Sequence, residues 1–134
     1  MKFKLVALSV ALLATSGAFA QNTDTLAKIK ASGTINLGVR DSSALSYTLG
    51  NGKYVGFHTE MAERIIDDLG KNIGKPLTVN HVLVTSQNRV PLVQNGTVDI
   101  ECGSTTNNAA RAKDVTFAYN TYMEVVRMAV KTSS

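Results

Sequence analysis

Residues 85–111 read TSQNRVPLVQNGTVDIECGSTTNNAAR. The stretch follows one apolar, strand-like run (residues 77–84) and contains a second (98–101). Directly after each run come small hydroxyl residues, with arginines close behind. In an open α/β sheet, ligands settle in the crevice outside the carboxyl ends of the strands. Guanidinium groups placed there favour planar anions, and carboxylates above all. The stretch therefore predicts a receiver for a small acidic molecule.

Pro91 fixes the local structure. In a helix interior proline loses a hydrogen bond and clashes with the preceding turn, at about 3 kcal/mol, whereas in the first turn it costs little. The next helix is thus expected to start near Gln87 or Asn88 and to end at Asn95-Gly96. That puts Thr85, Ser86 and Arg89 at its mouth, where free backbone N–H groups attract anions.

Working back from there, Met61, Ile65 and Leu69 repeat every four residues, with Ala62 and Ile66 widening the stripe. They predict a helix over 59–69, stopped by Gly70. Glu60 and Arg64 are spaced to pair along it. Gly50-Asn51-Gly52 is a turn signal between Tyr47 and Tyr54. Ile35, Leu37 and Val39 alternate with Asn36 and Gly38 as a first strand. Arg40-Asp41-Ser42-Ser43 lies directly beyond its end. Leu26 and Ile29 suggest a short helix closed at Ser32-Gly33. Downstream, 102–106 reads as a turn and 107–113 as a short helix. Residues 115–118 and 123–131 read as strands.

This alternation indicates an α/β fold with a mostly parallel sheet flanked by helices. Three successive strand ends carry Arg40, then Ser86 with Arg89, then Ser104 with Thr106, and they are expected to meet on one edge of the sheet.

The first twenty residues read as a cleaved signal peptide. Lys2 and Lys4 precede an apolar run, and Ala18-Phe19-Ala20 is a small-x-small cleavage site. The run is well short of the roughly 20 residues that span a bilayer. Export to the periplasm is the expectation, with residues 21–134 as one lobe. The charge excess of +4 falls to +2 without Lys2 and Lys4. There are no Lys/Arg runs, Trp is absent and aromatics are few, which argues against nucleic acid as a partner.

His58 and His81 are not at metal spacing, so no metal site is predicted. No cofactor motif is present, and His58 and His81 read as structural or exposed residues. Cys102 is the single cysteine. It fits a buried inert thiol, an intermolecular bridge or a bridge to a segment outside the chain.

The segments GVRDSS, TSQNRVPLVQNG and DIECGSTTNN together resemble the bacterial solute-binding proteins of the polar amino-acid class (family 3), which serve ABC-type importers and share the type 2 periplasmic-binding-protein fold. The resemblance covers residues 24–131. It implies a first lobe only, truncated at the first hinge strand, without the second lobe. By the same resemblance the ligand is glutamate or aspartate and the partner is the membrane permease of an ABC transporter.

The resemblance gives Arg111 the ligand α-carboxylate, and gives Ser104 and Thr106 the α-carboxylate and ammonium. Arg40 and Arg89, with Ser86 beside them, are implied to take the side-chain carboxylate. Gly56-Phe57-His58 departs from the acidic residue that many relatives carry after the Gly-aromatic pair. The competing readings are a small exported enzyme on the same fold, such as a dehydratase with Glu101 as general acid or base, and the sensing domain of a receptor. Binding without catalysis is the preferred one.

Overall fold

Strand β1 (Thr34–Val39) lies at the centre of a three-stranded parallel sheet of order β4-β1-β5. A computed structural model describes residues 24–132 of the chain, so the proposed signal peptide lies outside the described residues. β4 (Thr78–Leu83) pairs along the whole of β1, from Thr34 opposite Thr78 to Val39 opposite Leu83. β5 (Ile100–Glu101) adds two residues on the other side, Leu37 opposite Ile100 and Gly38 opposite Glu101. Strands joined in parallel need helical crossovers. These are α2 (Phe57–Ile73), between β1 and β4, and α3 (Arg89–Gln94), between β4 and β5.

The alternation read from the sequence becomes the core. Ile35, Leu37 and Val39 of β1 are buried with Ala62 and Ile66 of α2 and Ile29 of α1 (Thr25–Ser32). At about 25 cal/mol per Å2 of apolar surface, such a cluster is the main favourable term holding the layers together. α1 is capped at its start by Asp24, whose Oδ1 accepts from the backbone N–H of Leu26 and Ala27 at 3.0 and 3.1 Å. The Gly50-Asn51-Gly52 turn joins a small antiparallel hairpin, β2 (Tyr47–Gly50) with β3 (Lys53–Val55).

Several expectations need correction. α2 runs past Gly70 to Ile73 and closes at Gly74, which is left-handed with φ 79°. Gly70 instead allows a close approach, since a Cβ there would stand 3.0 Å from the carbonyl of Lys75. The buried seam of α2 follows His58, Thr59, Ala62, Ile66 and Gly70, while Ile65 is exposed. Of the expected stripe Ala62 and Ile66 are in the core and Leu69 packs against it, so the helix is rotated only away from Ile65. Among the described residues Glu60 and Arg64 form no ion pair, and Glu63 approaches His81 at 3.3 Å instead.

Residues 107–113 contribute only a 3-10 turn, Arg111–Lys113. Residues 115–118 and 123–131 are not strands. A strand is held by its ladder, and among the described residues none pairs with this tail. Val115 and Phe117 are half-buried, but beyond them the apolar side chains stand largely in solvent, Tyr119 at 97% exposure and Met128 at 87%.

One polar pin fastens the sheet's amino-terminal edge. The Asp99 side chain is 1% exposed and contacts Lys28 Nζ of α1 at 2.5 Å. Its other oxygen accepts the backbone N–H of Asn36 at 2.9 Å. Replacing Asp99 by Ala removes the acceptor of the part-buried Asn36 N–H and the carboxylate of Lys28, which keeps only the Gly96 carbonyl at 3.0 Å. Asp99→Ala is expected to lower unfolding free energy by about 3 kcal/mol, read from the urea midpoint. Lys28→Met, altering the more exposed partner, is expected to cost clearly less.

Candidate functional site

The carboxyl ends of β4, β1 and β5 deliver three arginines to one rim. Arg40 is the first residue after β1, and its backbone is locked by Ser46. The Arg40 N–H donates to Ser46 Oγ at 3.0 Å, and Ser46 Oγ–H donates back to the Arg40 carbonyl at 2.9 Å. Ser46 has a single proton, spent on that carbonyl, so the 3.0 Å contact with Thr59 Oγ1 has Thr59 as donor. Both hydroxyl residues are fully buried. This clamp joins the end of β1 to the first turn of α2 and sets where the Arg40 side chain starts. Neither Ser46 nor Thr59 stands out in the sequence, because their role exists only once loop and helix meet.

The Arg40 guanidinium reaches across to the loop after β4, where Nη2 donates to Ser86 Oγ at 3.2 Å. Its Nε lies 3.4 Å from Ser42 Oγ. Arg89 is the first residue of α3 and only 6% exposed. Burial works against its charge, Glu101 works for it, and the like charges of Arg40 and Arg111 work against it again. Arg111 Nη1 donates to the Thr106 carbonyl at 3.0 Å, which ties the 3-10 turn to the loop after β5. Ser104 and Thr106 are exposed on that loop.

The sequence placed Arg40, Ser86, Arg89, Ser104, Thr106 and Arg111 on one edge. In the structure Arg40 touches Ser86, Arg111 touches Thr106, and Arg89 senses both other arginines. A shallow recess of about 560 Å3, lined by residues including Asp41, Ser42 and Tyr47, adjoins Arg40.

These arginines are short of acceptors. Among the described residues no carboxylate forms an ion pair with any of the three. Asp41 instead accepts the Thr48 N–H at 3.1 Å. Arg40 Nη1 and Arg89 Nε and Nη1 are buried without a hydrogen-bond partner among the described residues. Buried donors are nearly always satisfied, so this rim has unused capacity for an anion. The helix mouth itself is partly spent, because Thr85 N–H donates to Asn88 Oδ1 at 2.7 Å and Asn88 N–H to Thr85 Oγ1 at 3.2 Å.

Beneath the rim sit two groups with shifted titration. Cys102 is a free, partly buried thiol packed against the core, and burial, then Glu101, push it up to about 11. His58 is buried, with Nε2 3.1 Å from Thr121 Oγ1 and its ring edge-on to Tyr122. Burial lowers its pKa and Glu101 opposes the shift.

The thiolate is the reacting form. Alkylation of native Cys102 is expected to be slow at pH 8 and to accelerate up to about pH 11, whereas an unfolded control levels off near pH 9. The sign for His58 runs the other way. Its folded pKa lies below the ordinary value of 6.5, so the unfolded chain binds the proton first and stability is lost as pH falls through that window. Thermal melts between pH 7.5 and 5 are expected to show the loss, and His58→Asn to reduce the slope.

Comparison with known proteins agrees with this architecture. Residues 35–134 match the family described as bacterial extracellular solute-binding proteins, family 3. An L-glutamate/L-aspartate-binding protein of Pseudomonas aeruginosa is 44% identical over 128 residues, covering 93% of this chain and 42% of its own length. A glutamate/aspartate import solute-binding protein of Escherichia coli is 39% identical over 140 residues, covering 98% and 46%. Among solved structures, a solute receptor for L-cysteine of Neisseria gonorrhoeae superposes with TM-score 0.62 at 37% identity, over 70% of this chain and 37% of that one. The chain spans less than half the length of these relatives. With a family match across most of its residues and an α/β lobe of the same fold, the chain belongs to the bacterial extracellular solute-binding proteins, family 3.

Proposed function

We propose that this chain supplies one ligand-binding wall of a periplasmic receptor for glutamate or aspartate, which hands its cargo to the membrane permease of an ABC importer. The observation that carries the reading is the set of buried, unpartnered guanidinium donors on Arg40 and Arg89, at a rim where Arg111 adds a third positive charge. The relatives named for glutamate and aspartate support the choice of ligand. The basic, apolar and small-residue order of residues 1–20 supports export.

An acidic amino acid brings two carboxylates and one ammonium. Arg111, Ser104 and Thr106 take the α-carboxylate and ammonium, while Arg40 and Arg89, with Ser86 beside them, take the side-chain carboxylate. Each charge-assisted hydrogen bond contributes on the order of 1.5–3 kcal/mol. An amide analogue presents an NH2 to a donor-only guanidinium and leaves buried charge unpaired, so glutamine is rejected. Binding needs no cofactor, metal or covalent step. Glu101, the carboxylate a catalytic reading would use, has one oxygen held by Thr105 at 2.7 Å. The binding reading is therefore the better fit.

One wall supplies only part of the contacts, so weak binding is expected of this chain by itself. Calorimetry of the chain without its first twenty residues is expected to give a Kd for glutamate on the order of 1 mM, about −4 kcal/mol, with glutamine undetectable and Arg89→Gln abolishing the heat. Equal affinity for glutamate and glutamine would sink the assignment.

A further inference from the structure

We propose that Glu101 is a positioning residue for the arginine rim, a resident counter-ion that offsets the mutual repulsion of Arg40, Arg89 and Arg111 without a bound anion. The inference deepens the anion-binding reading above and rests on the rim described there.

The first observation is space. Glu101 ends β5 opposite Gly38 of β1 and is followed two residues later by Gly103. A Cβ on Gly38 would stand 3.2 Å from Glu101 Cγ. A Cβ on Gly103 would stand 2.6 Å from Glu101 Oε1 and 2.7 Å from Arg40 Cγ. The two glycines thus leave room for the Glu101 side chain, and the carboxylate shares the room over Gly103 with the stem of Arg40.

The second observation is the use of its two oxygens. Oε2 accepts from Thr105 Oγ1 at 2.7 Å, which fixes the carboxylate's orientation. Oε1 is buried and has no hydrogen-bond partner among the described residues. Buried carboxylate oxygens are costly to leave unpaired, so a strand-end acceptor that served Thr105 alone would be an uneconomical device. A negative charge acting across space on Arg89, on which Arg40 and Arg111 also act, gives it a further role. In a partly desolvated site both the attraction between opposite charges and the repulsion between like charges are stronger than in water. Glu101 works on both Arg89 and His58, so its charge is felt beyond its own strand. Three arginines less one glutamate leave the rim formally positive, which favours a ligand that presents two carboxylates over one that presents a single carboxylate.

Thermal unfolding of the chain in low-salt buffer, with and without sodium sulfate, separates this from a purely structural role. Sulfate is the probe anion, and sodium chloride of equal ionic strength is the control. Glu101→Gln keeps the shape and removes the charge. Its Tm is expected to fall by on the order of 5 °C at low salt and to recover in sulfate by clearly more than the wild-type gain. Thr105→Val, which keeps the carboxylate and loses only its tether, is expected to gain no more than wild type. The double variant Glu101→Gln with Arg89→Gln restores the balance of charge and is expected to melt higher than Glu101→Gln alone.

Equal sulfate gains in wild type and Glu101→Gln would overturn the proposal. Should Glu101→Gln fail to fold at low salt, the double variant decides: a folded double variant supports the counter-ion role, and an unfolded one overturns it. The sulfate contrast is read without glutamate, so a failed glutamate titration would remove the ligand assignment and leave this result standing.

Discussion

A guanidinium withdrawn from water must be given something negative or be held apart from its own kind. That constraint governs this lobe. Arg89 is almost completely buried, yet two further arginines act on it. Arginine does not escape the problem by losing its proton, as a buried lysine or histidine can. The fold must therefore hold the three charges in fixed places and keep at least one carboxylate near. Glu101 is the acidic residue whose charge acts directly on Arg89.

Fixing the charges is the work of the sheet. β1 is paired along its full length with β4 and with β5 on its other side. Its apolar residues are locked against α1 and α2, so its carboxyl end is firmly held. Arg40 starts from that end, and the buried Ser46 hydroxyl holds both its N–H and its carbonyl. A hydroxyl with three hydrogen bonds in a buried place leaves the backbone little freedom. Arg89 and Arg111 are placed more locally, by a short helix after β4 and by a 3-10 turn tied back to Thr106. Order at the rim is thus graded, and it follows how much of the sheet stands behind each residue.

What the sequence revealed follows the same gradient. The period-2 pattern of Ile35, Leu37 and Val39 identified the central strand because both its faces and both its edges obey one rule. Pro91 placed α3 to within a residue or two, because a proline's missing donor restricts a helix start wherever it occurs. The residues after the strands could be named for the rim because parallel strands put their ends together. Legibility failed where position depended on partners. Ile65 fits the helical stripe but α2 is rotated so that Ala62 and Ile66 face β1, a choice made by packing and not by period. Residues 123–131 have β-forming composition, yet a strand exists only with a ladder, and the described residues supply none. Ser46 and Thr59 carry no motif, since each gains its role from a neighbour distant in sequence, and Glu101 was legible only as a possible acid or base.

The uneven burial of the rim bears on where selectivity would lie under the proposed function. Ser104 and Thr106 are exposed, and Arg111 is only partly covered. A mismatch there can be repaired by water at small cost. Arg89 and Arg40 Nη1 are buried, and a ligand that fails to supply an acceptor there leaves desolvated charge unpaired, which water cannot repair. The α-amino-acid end is common to all candidate ligands, so it needs affinity and not discrimination. The side-chain end is where glutamate differs from glutamine by one proton-bearing group. Dryness is concentrated at the end that must discriminate, and the same dryness is what makes a resident carboxylate necessary when three cations share the site.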